Sequence, residues 1–99
     1  MKCLYADDLG IQTPDRIILT DNGAYDLQKQ GIEGYYVWIG YRHGRGVSAS
    51  KMDYQVRVFK NTVVIPALME KLGVPKERIH SEDLTKTTDM YRVYVEVRG

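Results

Sequence analysis

Residues 35–43 read Tyr35-Tyr36-Val37-Trp38-Ile39-Gly40-Tyr41-Arg42-His43, directly after Gly34. The run has strand length and is dense in aromatic and β-branched residues, which pack well on a pleated surface. Side chains alternate across a strand, so Tyr35, Val37, Ile39 and Tyr41 face one way and Tyr36, Trp38, Gly40 and Arg42 the other. Next comes GRGVSASKM (44–52), a Gly- and Ser-bearing connection, and then DYQVRVF (53–59). Alternation predicts a second strand there, with Tyr54, Val56 and Val58 on one face and Gln55, Arg57 and Phe59 on the other. The two runs pair most simply as a long antiparallel hairpin.

Asn61 has the character of an N-cap, and residues 62–72 predict the main helix, with Pro66 in its first turn, where a missing N–H costs nothing. Val64, Ile65, Leu68, Met69 and Leu72 form its apolar stripe. Gly73 suits the position after the last turn, and Pro75 blocks continuation. Residues 75–79 predict a single turn, His80–Asp83 a surface loop, and residues 90–98 the last strand. In that strand Val93, Val95 and Val97 alternate with Arg92, Tyr94, Glu96 and Arg98.

Toward the N-terminus, residues 2–6 predict a short strand and residues 7–15 a loop broken by Gly10 and Pro14. Arg16–Thr20 is a short apolar run. Asn22-Gly23 is a hairpin signal, because both residues tolerate positive φ. Residues 24–28 then fit a returning strand, and residues 24–30 fit a short helix equally well. The expected fold is α+β: a mainly antiparallel sheet of four to six strands with one main helix (about 62–72) packed on one face. Tyr54, Val56, Val58, Val93 and Val95 are assigned to the covered face, against Val64, Leu68 and Leu72.

The 99 residues are 43% hydrophobic and carry a net charge of +1, with eight Tyr, one Trp and ten Val. Such a chain is expected to be ordered and to form one domain over 1–99, since either half would be too small to bury a core. Cys3 is the sole cysteine, which excludes an internal disulfide and a cysteine zinc cage and makes a reducing, cytoplasmic setting the expectation. No export signal is visible, and no apolar window approaches a membrane span. Residues 1–34 hold three basic and six acidic side chains, and residues 35–99 eleven and seven. That asymmetry permits a nucleic-acid surface without demanding one.

Tyr5-Ala6-Asp7-Asp8, flanked by Leu4 and Leu9, resembles the Y-x-D-D element of reverse transcriptases. The resemblance implies two aspartates at a hairpin holding Mg²⁺, but it covers about six residues and no third carboxylate accompanies it. The plainer reading is a strand end running into an acidic turn. Ile32-Glu33-Gly34-Tyr35-Tyr36-Val37-Trp38-Ile39-Gly40 has the spacing of the LAGLIDADG homing-endonuclease motif. Val37 and Ile39 stand where that family has its acids, so the resemblance implies an inactive relative at most, and the same residues prefer a strand.

Arg42-His43-Gly44-Arg45-Gly46, followed by Ser48, Ser50 and Lys51, is basic up to Asp53. A loop of this kind can follow a phosphate backbone, or it can be a solvated tip. His43 and His80 have no Cys or His at ligand spacing, so no metal and no cofactor are expected. Cys3 reads as an inert thiol.

The remaining candidate is a sheet face carrying Tyr36, Trp38, Arg57, Arg92 and Tyr94. Such a face can stack bases, form a protein hot spot, pair with itself across a two-fold axis, or be covered by residues 1–30 as a second core. The candidate binding residues are therefore Tyr36, Trp38, Arg42, Arg45, Lys51, Arg57, Arg92 and Tyr94, with no catalytic residue. The expected function is a small non-enzymatic interaction module acting as a homodimer. The alternatives are a binder of single-stranded or duplex nucleic acid and an inactive LAGLIDADG relative. A further protein partner fits as well, and a membrane does not.

Overall fold

The structure is a computed structural model. It describes residues 1–20, 29–42, 46–86 and 90–98, with 83–86 and 90–92 described through their backbone alone. In chain order the elements are β1 (Lys2–Cys3), α1 (Ala6–Leu9), β2 (Ile17–Thr20), β3 (Gly34–Arg42), α2 (Ala49–Phe59), a π-helical segment (Lys60–Val64), α3 (Ile65–Leu72), a 3₁₀ turn (Lys76–Arg78), β4 (Ile79–Lys86) and β5 (Met90–Arg98). The fold is α+β, with a five-stranded, mostly antiparallel sheet.

β3 is the hub. Its whole length pairs antiparallel with β5, setting Val37 opposite Val95 and Ile39 opposite Val93. Its other edge is shared: β1 pairs in parallel with Tyr35 and Tyr36, and β2 pairs antiparallel with the stretch from Trp38 to Tyr41. β4 adds to the far side of β5, with a register shift between Asp83 and Thr85. β3 and β4 are thus parallel with β5 between them. Parallel strands need a long crossover, and the helices supply it.

Several expectations are corrected. Residues 53–59 form no strand; they belong to α2, and β3 takes β5 as its partner instead. Tyr54-Val56-Val58 alternates, but Met52, Val56 and Phe59 recur at helical spacing, and these three are the residues buried. Ser48 caps the helix by accepting from the Lys51 N–H at 3.2 Å. The helical layer therefore runs from Ala49 to Leu72 instead of starting near 62, and Asn61 lies inside it rather than capping it. Residues 79–86 form a strand where a loop was expected. The N-terminal strand stops at Cys3, and residues 6–9 make one helical turn. The Asn22-Gly23 hairpin and the two readings of residues 24–30 fall largely outside the described residues.

The π-segment explains how one helical layer buries two stripes. The buried apolar residues step 52, 56, 59 and then 64, 65, 68. The jump of five from Phe59 to Val64 would turn an α-helix off its face, since neighbours on a face lie three or four apart. A π-turn absorbs one extra residue, so both stripes meet the sheet. They pack on Ile17, Val37, Ile39, Tyr41, Val93, Val95 and Val97 in one core, closed by Leu4 and Ile79. Each such fully buried aliphatic side chain is worth about 1.5–3 kcal/mol.

Candidate functional site

The face of the sheet away from the helices is not an open platform. Tyr36 is fully buried, Trp38 is 4% exposed, and both cluster with Met1, Cys3 and the half-buried Tyr94. The Trp38 and Tyr94 rings, cross-strand partners, lie 6.2 Å apart at a tilt of 46°. Cys3 Sγ points at the Thr20 carbonyl at 3.6 Å, joining β1 to β2 on their shared edge. The Met1 amine donates to the Lys29 carbonyl at 3.0 Å. Stacking unpaired bases on Tyr36 and Trp38, as the exposed-face reading required, would first demand that this second core open.

Charge on this face is paired. Glu96 is buried opposite Tyr36, held by Lys29 at 3.3 Å on one oxygen and by Arg98 on the other. Tyr94 donates from its hydroxyl to Glu82 at 3.0 Å. Desolvation and then the Glu82 hydrogen bond raise the Tyr94 pKa above its ordinary value. That direction keeps the phenol protonated and opposes any service as a general base near neutral pH. His80, Tyr94, Glu96 and Arg98 line a shallow hollow of about 290 Å³.

The structure disperses the other candidates. Arg57 lies on α2, across the sheet from Tyr36 and Trp38, and its side chain is fixed to Asp53 at 3.0 Å one turn back. Its strand-face placement is thereby corrected. Arg42 and Lys51 are exposed at the far end of β3 and the first turn of α2. Arg45 lies outside the described residues, and Arg92 is described by its backbone only. Sequence reasoning missed Arg16, which joins this end: its φ is +73°, rare for a residue with a side chain, and its carbonyl accepts from the Arg42 N–H at 2.8 Å. Arg16, Tyr41 and Lys51 share a hollow of about 350 Å³.

The Y-x-D-D resemblance does not yield a hairpin. Asp8 accepts from the Tyr5 N–H at 2.8 Å and caps a helical turn. No cluster of three metal-ligating side chains occurs among the described residues. The residues spaced like the LAGLIDADG motif lie mainly in β3, where that family has a helix.

Sequence reasoning also missed the outer face of α2. Tyr54 is 68% exposed and Val58 41%, one turn apart. Both line a groove of about 380 Å³ together with Pro14, Asp15, Ile17, Gln55, Phe59 and Thr62. The missed signal was the helical period itself: reading 53–59 as a strand put Tyr54 and Val58 in the core. No helix among the described residues is long and apolar enough to cross a membrane. Comparison with protein-family models, with curated proteins and with solved structures found no match.

Proposed function

We propose that the chain is a non-enzymatic interaction module that works as a homodimer joined through the outer face of α2. One observation supports the reading: an exposed aromatic side chain and a mostly apolar groove occur together on that patch. Tyr54, 68% exposed, is a knob and at the same time one wall of a mostly apolar hole, lined also by Pro14, Ile17, Val58, Phe59 and Thr62 with Asp15 and Gln55 as its polar members. A two-fold axis through such a patch seats the knob of each copy in the hole of the other. Asp53 and Arg57 neutralise each other one turn apart on the same helix, so they leave no net charge there to oppose a second copy. Tyr and Arg are also the residue types that dominate association energies.

Light scattering and sedimentation over a concentration series test this. A dimer is expected, and Tyr54→Ala or Val58→Asp should convert it to a folded monomer with an unchanged circular dichroism spectrum, its melting temperature losing the concentration dependence of a dimer. A chain that stays monomeric throughout, or a dimer that survives both substitutions, overturns the reading.

A second reading is favoured by Arg16 joining Arg42 and Lys51: a nucleic-acid strand held by phosphate contacts at that end. It predicts binding of a fluorescent oligonucleotide that weakens steeply with salt. Arg42→Ala, Arg45→Ala and Lys51→Ala should each weaken it across all sequences, the signature of backbone contacts.

A further inference from the structure

We propose that the open end of the two-layer core, between the start of β3 and the end of α3, binds a nucleoside phosphate. The site arises from a mismatch of lengths. The helical layer stops at Gly73, whose φ of +64° turns the chain away, and Pro75 follows. Tyr35 and Val97, paired at the ends of β3 and β5, lie at this end. The result is a hollow of about 740 Å³, within the roughly 300–1,000 Å³ typical of small-molecule sites.

Its lining has two characters. Lys2, Lys71 and Arg78 bring three cationic side chains, against Glu33 as the one carboxylate among the described lining residues; Arg98 meets Arg78 through its carbonyl while its side chain pairs with Glu96. The whole chain has a net charge of only +1, so a lining with three cations and one described carboxylate is locally richer in positive charge than the chain average. The C-terminus of α3 opposes an anion with about half a unit of negative charge, which Lys71 in its last turn alone outweighs. Arg78 donates from Nη2 to the Arg98 carbonyl at 3.0 Å, which orients its planar fork. A phosphate, near −2 with three acceptor oxygens, can engage several such donors at once.

The rest of the lining is apolar. Leu72, Val74 and Val97 form the inner wall, and Ile32 and the Tyr35 ring, 37% and 36% exposed, stand at the mouth. A bare inorganic anion leaves that wall wet. A phosphate attached to a flat heterocycle fills both halves, with the ring on Tyr35, because every base has a π-face that stacks on an aromatic side chain. The hollow is large enough to admit one nucleotide, so the shared chemistry is a nucleoside 5′-phosphate, either free or at the end of a strand.

Titration with adenosine monophosphate, followed by calorimetry and by amide chemical shifts, tests this. Saturable binding is expected, with shifts at residues 32–35, 71–74 and 97–98. Adenosine and inorganic phosphate should each bind at least about tenfold more weakly, as should the Lys71→Glu/Arg78→Glu double variant, whose positions are exposed and whose fold the circular dichroism spectrum checks. Tyr35→Ala should weaken the nucleotide more than inorganic phosphate. Lys76→Glu, the same charge change outside the lining, should stay within about twofold. Tyr54→Ala should leave nucleotide binding intact, which separates this site from the dimer reading.

Competition by an oligoadenylate carrying a 5′-phosphate assigns the ligand to a strand end, and failure to compete assigns it to free nucleotide. No binding at millimolar nucleotide, inorganic phosphate or citrate binding as tightly as the nucleotide, or an unaffected double variant overturns the proposal.

Discussion

Lys60 Nζ donates to Ser81 Oγ at 3.1 Å, joining the π-segment of the helical layer to the edge strand β4 across 21 positions of sequence. Lys60 is only 8% exposed, so its stem packs while its polar tip reaches the sheet edge. The contact ties together two features that the chain could have arranged otherwise, a widened helical turn and the strand farthest from β3. Removing the hydroxyl and removing the amine should therefore differ. Ser81→Ala should cost about 1 kcal/mol, the usual net worth of a hydrogen bond. Lys60→Met keeps the stem and leaves no buried donor, and should be neutral within about 1 kcal/mol. Urea denaturation of both variants measures the contrast; equal losses would mean that the cost is the lost hydrogen bond itself and not a stranded amine.

The extra residue in the π-segment is testable by deletion. Removing the exposed Asn61 restores steps of four, three and four along the buried stripe, so an unbroken α-helix could bury both halves. The variant should fold with an unchanged circular dichroism spectrum and lose no more than about 2 kcal/mol, the scale of core readjustment. An alanine inserted after Gln55 rotates Val56 and everything after it by about 100°. That variant should lose cooperative unfolding.

Tyr94 predicts an alkaline limit to stability. Its pKa is raised in the folded chain, by desolvation first and the Glu82 hydrogen bond second. A raised folded value means that the folded state holds the proton more tightly than the unfolded one. Its contribution is therefore fully present below the unfolded value of about 10 and is lost as pH rises through the folded value. Chemical denaturation between neutral pH and pH above 10, compared with Tyr94→Phe, should show a shallower alkaline decline in the variant. Tyr94→Phe should also cost about 1 kcal/mol near neutral pH through the lost bond to Glu82.

Gly73 ends the helical layer with a φ of +64°, and a Cβ placed there meets nothing within 4 Å. The penalty for Gly73→Ala is then purely conformational, about 1–2 kcal/mol. Thermal unfolding should show that loss, while Gly73→Asn, which tolerates the left-handed region, should recover part of it.

Much of this architecture was legible in the order of residues. β3 and β5 announced themselves because β-branched and aromatic side chains alternate over nine positions, and a register set by alternation is hard to shift without exposing a face. The end of the helical layer was equally plain, since Gly73 and Pro75 act through their own backbones. The assignment to one α+β sheet with a main helix followed from those local signals. Residues 53–59 were misread because Tyr54-Val56-Val58 fits period two while Met52-Val56-Phe59 fits the helix. Seven residues satisfy both periods, and only burial against a sheet decides between them.

The candidate surfaces divide along the same line. The chain itself supplied the chemistry: an aromatic stripe in β3, basic residues from Arg42 to Lys51, scattered lysines and arginines near both ends. Which of these face water was settled by long-range packing. Tyr36 and Trp38 became a second core because Met1 and Cys3 pack beside them, contacts between residues more than thirty positions apart. Tyr54 and Val58 reached the surface because the π-turn fixed which side of the layer meets the sheet. Lys2, Lys71 and Arg78 became one corner only because a parallel pairing at β1, the stop at Gly73 and the end of β5, whose Arg98 carbonyl holds Arg78, converge there. Local propensity is written residue by residue, whereas a shared hollow depends on where separate segments end, and that is decided only when the layers pack.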